Sequence, residues 1–550
     1  MAASIDDLPA ELLLPVFEYA SLDDRPQDPP SAVDELGWAT ATRRDPSTST
    51  NISQVCSRWR QLSLSQQVLW GYLPRSCETM TDLYLSRCPS SPLHIEIRPD
   101  HLYNGMDREH VQKLLDIVPR AVSLHISFKP GLKSARKSRA FSTSSSDLLS
   151  FLRTLRCAPQ LEDLWMDLPP CNPHGFLKFP CEMFRGQVLE KLHSVAFNDV
   201  LLQNPCTLVW PALRSACFTN SQVWDTADSF VAFFSGMPCL EDFKLTRRHR
   251  AIRRMYERDS TSVQSLPPSR SVPMVNLKSF ILHGLSLDIF LTLALLQIPF
   301  SALVSLTLFG RWNVEDSRAK LKIMHAALRD HFAAAVQADV HFDSVVFANR
   351  AMTAACNPQN NSTTLLPAAF TLDIPSDDAR LEPIGSRSLG MLCSHPVFAR
   401  AAHLTIRSPA DDPKIHGNAH ILSHIRESLS IPELEHILEL YSEVRTLVVE
   451  GAAVRRLVGG FLIPEGRGPL KLTVLRLRDA RLYSKSFFDM NTISTPQLLR
   501  TLRRLRTKKL ERLELERCIL KEVDVRTLRR ILGEGVIEGQ VAAVAAVPVL

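Results

Sequence analysis

Apolar residues recur along the chain in a six-residue unit, apolar-x-x-apolar-x-apolar. The unit stands at LEDLWM from Leu161, LEKLHS from Leu189 (its last position polar), LRSACF from Leu213, LEDFKL from Leu240, LKSFIL from Leu277 and LVSLTL from Leu303. It returns at AAHLTI from Ala401, VRTLVV from Val444, LTVLRL from Leu472 and LERLEL from Leu510, with weaker copies at AVSLHI from Ala121 and AFTLDI from Ala369. The last two apolar positions are two residues apart, which sets both side chains on one face of a short strand; a helix repeats every three or four. An amphipathic helix competes for any single copy. The shared spacing across the set favours strands.

Helical patterns precede several of these strands. DLLSFLRTLRCAPQ leads into Leu161 and ADSFVAFFSGMPC into Leu240, each closing near a proline that stops the helix. Helix, proline and short strand at intervals of about 24 to 40 residues is the grammar of a leucine-rich-repeat solenoid, with parallel strands on a concave face and helices on the convex one. The usual asparagine is missing: Pro169, Ser221, Arg248, Leu285 and Arg311 stand in its place. The array is therefore expected to be irregular, over residues 76–550. An insertion at about 310–368 holds a helix-like run, EDSRAKLKIMHAALRDHFAAAVQ, and a polar loop, NPQNNSTT.

Residues 1–75 do not follow this grammar. In IDDLPAELLLPVFEYA, Pro9 suits a first helical position, and Asp6, Asp7 and Glu11 suit the positive end of the helix dipole. Leu8, Leu12, Leu13, Val16, Phe17 and Ala20 make one apolar face, and Pro15 is expected to kink the helix. Residues 21–50, rich in Pro, Asp, Ser and Thr, read as a flexible insertion. NISQVCSRWRQLSLSQQVLWGYL follows, and on a helical wheel Ile52, Val55, Cys56 and Trp59 form one apolar stripe. Such a stripe must bury itself against this chain's own core or against another chain.

Composition changes this picture little. The chain has 550 residues, too many for one core, and its 45% hydrophobic and 22% charged residues suit a folded protein. A net charge of +6 spread over this length gives no basis for expecting nucleic acid. The opening MAASIDDLPAELL does not read as a signal peptide, and LSLDIFLTLALLQIPF is too short and too polar to span a bilayer, so a cytoplasmic or nuclear location without membrane is expected. The 12 cysteines show no paired zinc spacing; Cys157, Cys217 and Cys239 read as buried thiols.

Catalytic and phosphate-binding motifs are absent from the sequence, so no enzyme, cofactor or metal is expected. GEGVIEG from Gly533 reads as a flexible tail. His416, His420 and His424 share a helical face, but Gly417 and Asn418 weaken that helix, and solvated histidines are the simpler reading. The basic runs at Lys129–Arg139 and Arg247–Arg258 lack interleaved aromatics and read as solvated faces, with an acidic substrate segment, nucleic acid or an import receptor as the alternative partners.

The marks Leu8-Pro9-x-Glu11-Leu12, Val16-Phe17, Val55-Cys56-x-Arg58-Trp59-Arg60 and Leu69-Trp70 resemble the F-box family. Leu36-Gly37-Trp38 looks like the extended form common in fungal F-box proteins, where irregular leucine-rich repeats follow. The resemblance implies an α/β chain: a small all-α module at 1–75, then the solenoid. It also implies a substrate-recognition subunit of an SCF-type cullin–RING ubiquitin ligase, acting in the ubiquitin conjugation pathway. The module would meet the Skp adaptor, and through it the cullin scaffold, by way of Leu8, Pro9, Glu11, Leu12, Val16, Phe17, Val55, Cys56, Trp59, Arg60, Leu69 and Trp70. The solenoid would hold a protein substrate that the sequence does not specify. The alternatives are a repeat scaffold with no link to ubiquitination and, last, an enzyme within residues 304–368.

Overall fold

The computed structural model of the chain describes residues 5, 8–21, 47–74, 78–97, 108–127, 151–167, 177–179, 183–202, 210–221, 223–224, 226–246, 272–309, 314–348, 351–356, 369–373, 394–407, 437–451, 453–454, 471–479, 481–482, 510–532, 537–538 and 541–544. Two compact units emerge, residues 1–261 and 262–550, each mixed α/β with a mostly parallel sheet. Segment 21–50 beyond its first and last few residues, both basic runs, the His416/His420/His424 set and the 357–364 loop lie outside the described residues.

The first unit opens with helices α1 (Ala10–Ser21), α2 (Thr48–Val55), α3 (Ser57–Ser65) and α4 (Glu78–Arg87), with a 3-10 turn at Gln67–Trp70. Six strands then lie side by side in chain order, all parallel: Leu93–Ile97, Ala121–Ser127, Asp163–Asp167, Ser194–Asn198, Ser215–Thr219 and Asp242–Thr246. Parallel neighbours need a crossover. Helix α5 (Arg108–Ile117), a helical turn at 151–154, a 3-10 turn at Met183–Gly186 and a helix at Ala227–Ser235 supply it.

Each strand buries alternate residues, as in Leu93, Ile95 and Ile97, while the residues between them stay half-buried or exposed in most strands. Parallel sheets are usually covered on both faces and read as unbroken apolar runs. Here the alternation survives in the sequence: one face is buried throughout, and the other is partly exposed in most strands, although His125, Ser127, Ala196, Asn198 and Thr219 are buried there too. Leu161, Leu164 and Met166 are buried as the unit predicts, and so are Leu213, Ala216 and Phe218. Two registers are corrected. The Ser194–Asn198 strand follows Leu192, not Leu189, and buries Val195 and Phe197. In Leu303–Phe309 the first leucine is exposed, and Val304 aligns with Phe280 of the neighbouring strand.

A second repeat appears at the strand exits. Asp199, Asn220, Gly451, Asp479 and Arg517 each directly follow a strand, and all have positive φ, from 49 to 66°. Their amides feed the next strand: Asp199 N–H donates to Thr219 O (2.9 Å), Asn220 to Thr246 O (2.7 Å), Gly451 to Arg478 O (3.0 Å) and Asp479 to Glu516 O (3.1 Å). The corner thus turns the chain out of the sheet while satisfying a backbone donor. Asn, Asp and Gly tolerate this conformation; Arg517 is the exception, and its guanidinium grips the Asp479 carboxylate at 2.6 and 2.7 Å. Ser221 takes over part of the missing asparagine's work. Its buried hydroxyl accepts from Val200 N–H (3.1 Å) and lies within donating distance of the Phe197 and Thr219 carbonyls (3.1 and 3.0 Å). Pro169, Arg248 and Arg311 lie outside the described residues.

In the second unit the sheet order is Ser279–Leu285, Leu303–Phe309, Ala369–Asp373, Ala351–Ala355, Ser344–Ala348, His403–Arg407, Thr446–Glu450, Val474–Arg478, Arg512–Glu516 and Ile537–Glu538. Ala351–Ala355 runs antiparallel to both its neighbours. The span expected as an insertion therefore carries a helix, Val314–Gln337, and two strands of the sheet itself. The tail is also corrected: Ile537–Glu538 pairs with Leu513 and Glu514, and Val541–Val544 pairs with Cys518–Lys521. On the less buried face, opposite charges meet across strands, Arg407 with Glu450 (2.7 Å), Arg478 with Glu516 (2.6 Å) and Arg476 with Glu514. No described helix is long and apolar enough to cross a membrane. Cys239 is exposed, and Cys157 and Cys217 are half-buried, so the cysteine expectation is corrected as well.

Phe332 of the Val314–Gln337 helix packs among Phe300, Phe342, Phe370 and Phe398, with ring centroids 5.3–6.2 Å apart. Beside them burial, reinforced by neighbouring cationic groups, pushes His331 and His395 down to about 4 from 6.5. Both are neutral in the fold, so the unfolded chain takes up protons first. Their contribution to stability is complete above pH 6.5 and is lost as pH falls towards 4. The urea midpoint should drop across that window, and His331→Gln should reduce the drop. At Gly451, Gly451→Val should cost about 1–2 kcal/mol in chemical denaturation, because φ there is +66°.

Candidate docking surface of the N-terminal module

Helix α1 is apolar nearly all round, and burial splits it into two stripes. Leu13 and Phe17 are buried, whereas Leu12, Val16 and Tyr19 face out, 55, 46 and 76% exposed. Spacings of four and three put these outward residues on one helix face. Ile5 and Val55 are also more than half exposed. Solvating large apolar side chains in this density is unfavourable, and a contiguous apolar patch marks an interaction surface. The helix runs through Pro15, which is exposed, so the Glu11 carbonyl deprived of its donor lies on the watered side.

The single stripe expected at Ile52–Trp59 is broken in two. Cys56 is extended (φ −155°, ψ 171°) and ends α2; its Sγ then accepts from Trp59 N–H at 3.4 Å and caps α3. Within α2 itself Ile52 is buried and Val55, its last residue, is exposed. Trp59 is half-buried against Phe17, with ring centroids 4.8 Å apart, and its Nε1 is buried with no acceptor among the described residues. Arg60 Nε donates to Ser53 O (2.9 Å), tying α3 to α2, and Arg58 donates to Leu8 O, tying α3 to the start of α1.

Of the residues implied as adaptor contacts, Pro9, Glu11, Leu12, Val16, Val55 and Arg60 lie on the surface, and Leu8, Cys56 and Trp59 are half-buried. Phe17, Leu69 and Trp70 are sealed in the module. Trp70 Nε1 donates to Ser63 O (2.8 Å), its ring meets Tyr84 edge-on at 5.0 Å, and Arg87 lies over it at 4.0 Å. These three residues build the platform under the surface. Tyr19 was missed, although its spacing from Leu12 and Val16 was there to find it.

The module is joined directly to the sheet. His94 N–H donates to Gly71 O (2.8 Å), Leu73 N–H donates to His94 O (3.2 Å), and the Tyr72 and His94 rings stack at 4.1 Å. Gly71 permits this approach: a Cβ there would stand 2.8 Å from the Pro92 carbonyl oxygen. Arg120 Nη2 donates to Ser91 O (2.9 Å) and to Cys88 O, closing the joint. Burial raises the Cys88 thiol above its usual range and keeps it a donor, to Tyr84 O at 3.0 Å.

Among the described residues, no group of three or more His, Cys, Asp or Glu is placed to hold a metal. No known family model matches the chain, and no curated protein is significantly similar to it. Gly71→Ala should cost about 1–3 kcal/mol and speed hydrogen exchange at the Leu73 and His94 amides first, since the clash is with rigid backbone.

Proposed function

We propose that this chain is the substrate-recognition subunit of an SCF-type cullin–RING ubiquitin ligase in the cytoplasm or nucleus. Residues 1–75 act as an F-box that binds the Skp adaptor, and the strand array is an irregular leucine-rich-repeat solenoid that binds the target. One observation carries the reading: the outward stripe Leu12, Val16 and Tyr19 rests on a module already closed by Leu13, Phe17, Leu69 and Trp70. A module with its own core has no internal use for a second apolar face. A partner helix or groove does.

The array supports the rest. Short parallel strands, in chain order throughout the first unit and over most of the second, and left-handed corners at strand exits suit a repeat solenoid. Catalysis belongs to the partner subunits on this reading, and the chain contributes proximity and orientation, helped by the joint at Gly71. The same features serve the second reading, a binding scaffold with no ligase attached.

Co-expression with a Skp adaptor separates the two. The wild-type chain should co-purify with it. Leu12→Asp together with Val16→Asp should weaken the complex at least about a hundredfold, since each loses roughly 1.5–3 kcal/mol of apolar burial. Circular dichroism and melting temperature should stay unchanged, because both positions are exposed. A wild-type chain that never retains the adaptor leaves the scaffold reading standing.

A further inference from the structure

The net charge of +6 averages an uneven chain. Residues 471–530 hold 17 basic and 7 acidic side chains, and the rest of the sequence holds 47 and 51. A basic surplus of this size in one stretch favours an anionic partner there. Most of its described cations already have a carboxylate. Arg478 pairs with Glu516 (2.6 Å), Arg512 with Glu514 (3.0 Å) and Arg517 with Asp479 (2.6 Å), while Lys471 meets Glu443 and Arg476 meets Glu514.

Arg529 and Arg530 differ. They lie in the last turn of the helix Glu522–Leu532, which crosses over between the paired strands Arg512–Glu516 and Ile537–Glu538 at the end of the sheet order. Leu528 is fully buried and holds the helix down, whereas Arg526, Arg529 and Arg530 are exposed. At about 100° per residue, the three arginines share one arc on the far side from Leu528. Among the described residues, neither Arg529 nor Arg530 makes an ion pair or a hydrogen bond. The residues three and four positions before them, Val525, Arg526 and Thr527, are not acidic. Arg526 and Arg530 stand four apart, where like charges repel. One cation in the last turn serves the negative end of the helix dipole; further arginines on the same arc add repulsion that an anion relieves.

We propose that this arginine face receives an acidic segment of the target protein, whose Asp or Glu carboxylates accept from the guanidinium forks. The planar guanidinium matches a carboxylate through two parallel N–H···O bonds, and the charge of the arc selects an acidic segment over a cationic one. A polypeptide suits the arc better than nucleic acid. The described part of residues 471–532 carries no aromatic side chain on which a base stacks, and one short arc of cations is small for a run of phosphates. The proposal names a substrate class for the ligase reading above and rests on it, but the binding itself is measurable without any adaptor.

The test uses the full-length chain and fluorescence anisotropy, with fluorescein-labelled Gly-Ser-Glu repeats, their Glu→Gln and Glu→Arg counterparts, and a labelled single-stranded oligonucleotide. The glutamate peptide should bind, the other two peptides should not, and added salt should weaken binding. Arg529→Gln with Arg530→Gln should raise Kd about tenfold or more, at an unchanged melting temperature because both positions are exposed. Arg530→Gln alone should raise it about threefold, which keeps the test decisive even where the double variant does not fold. Arg153→Gln with Lys191→Gln, exposed cations of the first unit, should leave Kd unchanged. A glutamate peptide that binds no better than its glutamine counterpart, an unchanged Kd in the arginine variants, or an equal loss in the Arg153 and Lys191 variant overturns the proposal. An oligonucleotide that outbinds the glutamate peptide and is lost with the same two arginines overturns the partner class. Adaptor binding runs through Leu12 and Val16, so retained adaptor with no peptide binding refutes only the substrate class. Retained peptide with no adaptor refutes only the ligase reading.

Discussion

The array depends on rows of aliphatic side chains stacked from strand to strand on one face. Each short strand contributes two or three fully buried residues, such as Leu447 and Val449 or Leu513 and Leu515, and none could bury them alone. Neighbouring strands supply the cover, and their backbone ladders fix the register. Everything on the other face follows from this constraint. With the packing load carried on one side, the remaining positions are free for charge, aromatic rings and small residues. Among the described residues, the second unit uses them for arginine–glutamate pairs across strands and the first for Trp165, His125 and polar side chains.

The N-terminal module obeys a different economy. It has a small core of Leu13, Phe17, Ile52, Leu69 and Trp70, yet it presents Leu12, Val16 and Tyr19 to water. Its attachment through Gly71, Tyr72 and His94 is made of backbone hydrogen bonds and a ring stack. That joint fixes the direction of the outward stripe relative to the first strand. On the proposed ligase reading, a fixed direction would serve to hold a target near a partner's catalytic centre.

Much of the array was legible because one face is buried throughout while the other stays partly exposed in most strands. The alternation in LEDFKL or LTVLRL survives where a doubly covered strand would show a continuous apolar run. The misses have specific causes. PLHIEI alternates cleanly at Leu93–Ile97 but stands apart from the six-residue unit. Ser344–Ala348 and Ala351–Ala355 form a hairpin in a span read as an insertion, and tertiary pairing decides such short strands. The left-handed corners at Asp199, Asn220, Gly451 and Asp479 were readable from residue type, but Arg517 was not, because its ion pair with Asp479 is a long-range contact. In α1, composition could not tell Leu12 from Leu13, since the helix is apolar on both sides. Leu69 and Trp70 belong to a motif that suggests an interface, yet the fold spends them on its own core. At Cys56 the wheel misled, because one extended residue rotates everything after it.

The central claim is that the outward stripe of α1 is a surface made for another polypeptide. Hydrogen–deuterium exchange of the chain, alone and with a purified Skp adaptor, measures this directly. The predicted result is new protection over residues 8–21 and around Val55, with the strands from Leu93 onward unchanged. Protection confined to those strands, or none anywhere at saturating adaptor, would contradict it.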